Sequence, residues 1–384
     1  MLQIIPHLDS GGAERTTIEI AASLAEVGAR PLVASRGGRM VSELQALGGI
    51  WLPFPAATKN PIAMALNVRR LAHLIRAEGV DLVHARSRAP AWVAYAATRL
   101  TKTPFITTYH GAYSGSGVLK LQYNSVMTRG DLVIANSRFT ATEIARVFPD
   151  AAKKLRVIPR GVDVRSFDPN KVSSERVNAL RRAWNVAPDE RVVLLAARLT
   201  SRKGHKTLIA AARELMQSGL RDTKFILAGD EQGRASYVKE IDAAIRKAGL
   251  AGIVSRTGHC ADMPAALVAA AIAVVPSLDA EAFGRVAAEA LAMGTPTIVS
   301  DQGGLAEIVR TAAEADPAKR TGWRVPAGNA SALAQAIREA LALGASARDH
   351  LSLTARAYAV RHYSIERMCT ATLAAYADLL APLS

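Results

Sequence analysis

The sequence predicts an α/β protein built from two Rossmann-like, doubly wound parallel-sheet domains facing each other across a cleft. Three observations predict it. Short, near-continuous apolar segments alternate with amphipathic stretches along the chain, the pattern of parallel strands covered by helices on both faces. A polar, irregular stretch at 168–174 (Asp-Pro-Asn-Lys-Val-Ser-Ser) interrupts that pattern, which then restarts. The length of 384 residues suits roughly two to three domains, and a 50% hydrophobic content is enough for large cores.

In the first half, Gln3-Ile-Ile-Pro-His reads as a strand and Asp9-Ser-Gly-Gly-Ala-Glu14 as the loop after it. Glu14 to Val27 reads as a helix, with Ile18, Ala21, Ala22 and Ala25 on one face. Strands follow at Pro31-Leu-Val-Ala-Ser, Ile50-Trp-Leu-Pro-Phe, Asp81-Leu-Val-His, Pro104-Phe-Ile-Thr-Thr-Tyr-His, Asp131-Leu-Val-Ile-Ala and Leu155-Arg-Val-Ile-Pro, with helices between them. Two of those helices are Met40 to Leu47 and Pro61 to Ala77, the second with proline at a tolerated early position. In the second half, strands are expected at Arg191-Val-Val-Leu-Leu-Ala-Ala, Lys224-Phe-Ile-Leu-Ala-Gly, Ile253-Val-Ser-Arg-Thr-Gly, Ile272-Ala-Val-Val-Pro and Pro296-Thr-Ile-Val-Ser. Thr207 to Met216 is a helix with Leu208, Ala211, Ala212 and Leu215 in register. Helices close the chain from Ser331, the last from Ser364 to Leu380.

Composition excludes several classes. Two cysteines, Cys260 and Cys369, stand far apart without metal-ligand spacing, which argues against a disulfide framework or zinc site and for a reducing compartment. The N-terminal Met-Leu-Gln-Ile-Ile-Pro-His reads as a strand, not a signal peptide, and the longest apolar run, 264–276, is too short to span a bilayer. The net charge is +15; residues 1–170 carry 21 Lys/Arg against 12 Asp/Glu, and residues 171–384 carry 27 against 21. A basic first half suits an anionic membrane, a polyanionic substrate or nucleic acid, and equally a set of solvated faces. No nucleic-acid-binding motif accompanies the charge, so no nucleic-acid partner is expected.

The stretch Asp279-Ala-Glu-Ala-Phe-Gly-Arg-Val-Ala-Ala-Glu289 carries the chemistry best. Glu281 falls in the loop after a buried strand, and Glu289 more than one turn into the following helix. Ligands of open parallel sheets bind at that edge. The amides of Phe283, Gly284 and Arg285 suit an oxygen-rich ligand, and two carboxylates suit its hydroxyls. A glutamate at a helix start also serves the dipole, and one in mid-helix a solvated face. Arg198 and Lys203 flank the loop after the second domain's first strand, where two cations suit a diphosphate. Gly11-Gly12 opens the first long helix, as a tight turn or a close approach to an anion. His84 and His110 each end a strand, as structural residues or as contacts to a hydroxyl. No Walker A motif, nucleophile elbow or metal cluster is present in the sequence.

Taken together, these residues resemble the retaining GT-B glycosyltransferases of family four, over nearly the whole chain. The ordered set is Gly11-Gly12, His110, Ala135-Asn-Ser137, Val157-Ile-Pro-Arg-Gly-Val-Asp163, Arg198, Lys203, Gly229-Asp230 and Gly258-His259. It continues with Glu281-Ala-Phe-Gly284, Glu289, Gly294-Thr-Pro-Thr-Ile-Val-Ser300 and Gly303-Gly304. The resemblance implies an acceptor-side domain over 1–170, a nucleotide-sugar domain over 171–362 and a helix at 363–384 that crosses back to the first. It implies that Arg198 and Lys203 hold the donor diphosphate, and that Glu281 with the Phe283 and Gly284 amides holds the sugar. Glu289 would accept from the ribose, and the loop from His259 to Met263 would lie against the base. Gly12 would approach the phosphate and acceptor, and His110 the sugar or the reacting centre. No metal or other cofactor is expected beside the nucleotide-sugar donor. The implied acceptor is a glycan or lipid-linked sugar of lipopolysaccharide or envelope polysaccharide synthesis. The implied location is the cytoplasm, with attachment to the inner face of the membrane through Arg69, Arg70, His73, Arg76, Lys120 and Arg129 as one use of the basic half. A nucleotide-sugar epimerase or a non-catalytic nucleotide or glycan binder of the same architecture are the competing readings.

Overall fold

The computed structural model describes residues 1–9, 11–111, 117–314 and 316–381. Ser10, in the loop expected over 9–14, lies outside them, as do the last residues of the 363–384 segment. The chain forms two compact units: residues 1–161 with 365–384, and residues 162–364.

The first unit has a seven-stranded sheet, with β1 at Leu2–Ile4, β2 at Leu32–Ser35, β3 at Ile50–Pro53, β4 at Val83–Ala85, β5 at Phe105–Tyr109, β6 at Leu132–Ala135 and β7 at Leu155–Val157. Its order is β3-β2-β1-β4-β5-β6-β7, and every pair is parallel. All seven expected strands are present. Leu2, Ile4, Val83 and Phe105 are fully buried, as strands sandwiched between helical layers must be.

The second unit has six strands: β8 at Arg191–Ala196, β9 at Thr223–Ala228, β10 at Val254–Gly258, β11 at Ile272–Val275, β12 at Thr297–Ser300 and β13 at Gly322–Val325. The order is β10-β9-β8-β11-β12-β13, again all parallel. The edge strand β13 is an addition to the five expected. Its Gly-Trp-Arg-Val sequence has too little apolar run to announce a strand, yet Arg324 is accommodated because the edge leaves it room to bond the Ala306 carbonyl at 2.7 Å. In each sheet the strand order reverses beside the first strand, between β1 and β4 and between β8 and β11. Those are the two topological switch points, where loops part and a ligand crevice forms.

The unit boundaries fall at 161/162 and 364/365, where the sequence reading puts breaks at 170/171 and 362/363. The cause is a short parallel bridge between Val162 and Ser364, in which the Val162 amide donates to the Tyr363 carbonyl at 2.6 Å. That bridge ties 162–167 to the second unit. The final helix, Ile365–Leu380, buries Met368, Cys369, Ala375 and Tyr376 against Ile20, Leu82, Ile106 and Ile134 of the first unit. It closes one face of the first sheet and is part of that unit's core.

Candidate functional site

The second unit assembles most of the expected residues. Its loops after β8 and β11 are stitched together at the switch point. After β8 the chain makes a short 3-10 turn, Ser201–Lys203, and Gly204 then takes a left-handed φ of 73° to enter the helix His205–Gln217. A Cβ on Gly204 would lie 1.9 Å from the Pro276 carbonyl oxygen, so only glycine lets these loops touch. The Leu278 amide donates to the Arg202 carbonyl at 2.7 Å and makes a second tie.

This contact brings Lys203 onto Glu281: Nζ donates to Oε1 at 2.7 Å, and both side chains are about one-fifth exposed. The Ser277 hydroxyl donates to the same carboxylate oxygen. The loop is held from a third strand end as well. The Gln302 side-chain amide donates to the Ser277 carbonyl at 2.9 Å, and the Gly304 amide to the Glu281 carbonyl at 2.7 Å. Glu281 is therefore a fixed carboxylate with a neutralising cation, at the carboxyl ends of β8, β11 and β12. Charge-assisted hydrogen bonds of this kind orient a group firmly.

Behind it, the Phe283 ring is buried against Tyr363, with ring centroids 5.7 Å apart and edge to face. The ring is an anchor for the loop, and only the Phe283 backbone is left to face a ligand. Gly284, with φ at 110°, starts the helix Arg285–Ala292, and no side chain caps that N-terminus. Glu289 is buried, 6% exposed, rather than on a solvated face. The exposed Arg285 donates to it at 2.8 Å across one helical turn. Burial pushes the Glu289 carboxyl up from its ordinary value, and the Arg285 guanidinium offsets this in part.

Arg198 is not joined to Lys203 or Glu281. It is exposed, and its guanidinium meets only the Gln232 side chain, at 3.5 Å, among the described residues. His259 is exposed beyond the end of β10, while Met263 is half-buried and packs into the core that carries β8 and β9. Asp262 caps the helix Met263–Ala269 through the Ala265 amide and pairs with Arg176 at 2.7 Å, which fixes the His259–Met263 loop.

In the first unit the structure brings together His110, Gly12 and a residue with no role assigned from sequence, Arg160. The Arg160 guanidinium donates from Nη2 to His110 Nδ1 at 2.9 Å and reaches the His110 carbonyl at 3.4 Å. A Cβ on Gly12 would lie 2.3 Å from Arg160 Nη1, so the bare Gly12 makes room for the guanidinium at the start of the helix Gly12–Glu26. Desolvation first, then the Arg160 and Arg86 cations, hold the His110 imidazole well below its ordinary value. His84 belongs to the core. It is fully buried, with Nδ1 2.7 Å from the Tyr376 hydroxyl and Nε2 2.7 Å from the Thr108 hydroxyl. Sequence reasoning missed Arg160, Ser277 and Gln302 as site residues. Arg160 stands in the Val157–Asp163 motif already singled out and Ser277 directly follows the strand ending at Pro276, and their position at strand carboxyl ends was the available signal.

Among the described residues no helix is long and apolar enough to cross a membrane.

Comparison with known proteins matches a separate family model to each half of the chain. The family model described as Glycosyltransferase Family 4 matches residues 10–166, and the model described as Glycosyl transferases group 1 matches residues 177–358. The chain is similar to an uncharacterised glycosyltransferase of Methanocaldococcus jannaschii, 27% identical over 64% of this chain and 64% of that protein, so it spans a little under two thirds of that relative's length. A crystal structure of a glycosyltransferase from Rickettsia africae matches with a TM-score of 0.90 and 32% identity, over 100% of this chain and 98% of the other. The structure of Anabaena HepE in complex with UDP matches with a TM-score of 0.83 and 25% identity, over 98% and 99% of the two chains. Two parallel sheets matched in order, each with its own transferase model, and a relative alike from end to end leave one conclusion: the chain belongs to the GT-B glycosyltransferases.

Proposed function

We propose that the protein is a retaining glycosyltransferase that moves a sugar from a nucleoside-diphosphate donor to a glycan or glycolipid acceptor, without a metal. The observation that carries this reading is the Lys203–Glu281 pair, 2.7 Å apart at the switch point of the second sheet. In the reaction the bond between the anomeric carbon and the diphosphate oxygen breaks as a bond to the acceptor oxygen forms on the same face. The acceptor's proton passes to the leaving phosphate, and no protein group is needed as base. Negative charge grows on the diphosphate, and the Lys203 ammonium with the Arg198 guanidinium stabilises it. Glu281 and the amides from Phe283 to Arg285 bind the sugar hydroxyls, and Glu289 accepts from the ribose. The loop from His259 to Met263 lies against the base, and His110 faces the sugar.

The first test is a thermal-shift panel of UDP, GDP, ADP and CMP with matching sugar nucleotides, with and without EDTA. UDP is the leading candidate because the similar HepE binds it. Selective stabilisation by one nucleotide, unchanged by EDTA, is the expected result. No shift with any of them removes the donor-binding reading, and a new sugar nucleotide formed without acceptor replaces transfer by epimerisation.

A lipid-linked acceptor in envelope or lipopolysaccharide synthesis, reached at the inner membrane face, fits the surface of the first unit. Ile62 is 76% exposed, Val118 80% and Leu119 83%, on helices that follow the carboxyl ends of β3 and β5. Arg69, Arg70, His73 and Lys120 are exposed on the same helices. Apolar tips among cations suit an anionic interface. The protein is expected to sediment with phosphatidylglycerol vesicles and not with phosphatidylcholine vesicles, and Leu119→Glu to weaken that binding. Equal binding to both, or to neither, ends this reading of the surface.

A further inference from the structure

We infer that Arg160 is a positioning residue that fixes His110 in its Nε2–H tautomer and so makes the ring a hydrogen-bond donor to a ligand oxygen at the carboxyl edge of the first sheet. The ligand half of this inference rests on the proposal that His110 faces the sugar. The tautomer half does not.

A guanidinium carries only N–H donors and accepts nothing. With Arg160 Nη2 2.9 Å from His110 Nδ1, the ring nitrogen must supply its lone pair. In a neutral imidazole the single proton then sits on Nε2. A doubly protonated ring would set N–H against N–H and cation against cation. The low basicity of His110, caused by desolvation and by the two nearby guanidinium groups, agrees with a neutral ring. Arg160 Nη2 also reaches the His110 carbonyl at 3.4 Å, so one group holds both ring and backbone. Gly12 completes the device, because any side chain there would displace the guanidinium.

The consequence lies on the other nitrogen. His110 Nε2 is buried and has no hydrogen-bond partner among the described residues. A buried N–H without an acceptor is costly, and a ligand oxygen removes that cost. This also assigns the chemistry. With Nδ1 occupied and Nε2 protonated, His110 has no free lone pair and cannot act as general base. It orients and polarises an oxygen, which fits a reaction that takes its base from the leaving phosphate.

The test is long-range 1H–15N NMR of histidine-labelled full-length protein, with the His110 signals assigned by their loss in His110→Gln. The expected pattern is an acceptor-type Nδ1 and a protonated Nε2, unchanged from about pH 6 to about pH 8. Arg160→Ala is expected to yield a mixture of tautomers, and Arg160→Lys, which keeps a donor, to restore the wild-type pattern. Arg160→Ala is also expected to lower kcat about tenfold, the scale of one ordinary hydrogen bond. A protonated Nδ1 in the wild type, or a wild-type pattern in folded Arg160→Ala, overturns the positioning role. Addition of UDP-glucose, or of the sugar nucleotide the panel selects, is expected to shift the Hε2 resonance. If that resonance stays fixed while the same nucleotide raises the melting temperature, the ligand half is wrong and the tautomer half stands.

Discussion

Lys203→Ala is expected to lower turnover by about 10²–10³-fold, the loss that follows removal of one preorganised group from a developing negative charge. The fold is expected to survive almost unchanged. Lys203 is about one-fifth exposed and makes one ion pair, with Glu281 at 2.7 Å. Its removal leaves Glu281 with the Ser277 hydroxyl and with the backbone tie to Gly304. An ion pair near the surface contributes about 0–1 kcal/mol, which corresponds to a fall of at most about 2–4 °C in a unit of this size. Lys203→Arg keeps the charge and is expected to recover part of the rate. The checks are steady-state kinetics with the nucleotide sugar chosen by the thermal-shift panel and a melting curve of each variant. Wild-type turnover in folded Lys203→Ala would show that the ammonium does not stabilise the leaving group.

The neighbouring residue is expected to behave in the opposite way. Gly204→Ala should lose stability first and activity as a result. Its φ of 73° costs an L-residue about 1–2 kcal/mol. The added methyl would lie 1.9 Å from the Pro276 carbonyl oxygen, a backbone atom that cannot swing aside. Relief of such an overlap costs about 1–3 kcal/mol more. Together these lower the melting temperature of the second unit by roughly ten degrees. The loops after β8 and β11 must separate to accommodate the methyl, and Lys203 moves with them away from Glu281. Turnover measured well below the melting temperature is therefore expected to fall too. A wild-type melting curve for Gly204→Ala would mean that the contact seen between Gly204 and Pro276 does not constrain the loops.

Much of this was legible in the chain itself. The near-continuous apolar runs around Leu2–Ile4, Val83–Ala85 and Ile272–Val275 are too short for helices and are bounded by polar or turn residues, which marks them as strands buried on both faces. Strands with helices between them must be parallel, and that puts the loops bearing Arg198, Lys203 and Glu281 at one edge of one sheet. The edge strand Gly322–Val325 was not legible, since Gly322 and Arg324 interrupt its apolar pattern even though three of its four residues are buried.

Local pattern determined the elements, the parallel sheets and the edge at which polar residues gather. The tertiary structure alone decided which of those residues meet. In sequence Glu289 is open to two readings, a ligand carboxylate or a solvated helix position, and its burial excludes the second. Arg160 is 50 residues from His110, and only the order β5-β6-β7 returns it to that histidine. Lys203 and Glu281 are 78 residues apart and meet because β8 and β11 are neighbours and Gly204 lets their loops touch. The physical reason is common to all three. A periodic pattern reports how one segment faces water or core, whereas a pair interaction depends on strand order and on the space between loops, which the packing of the whole unit sets.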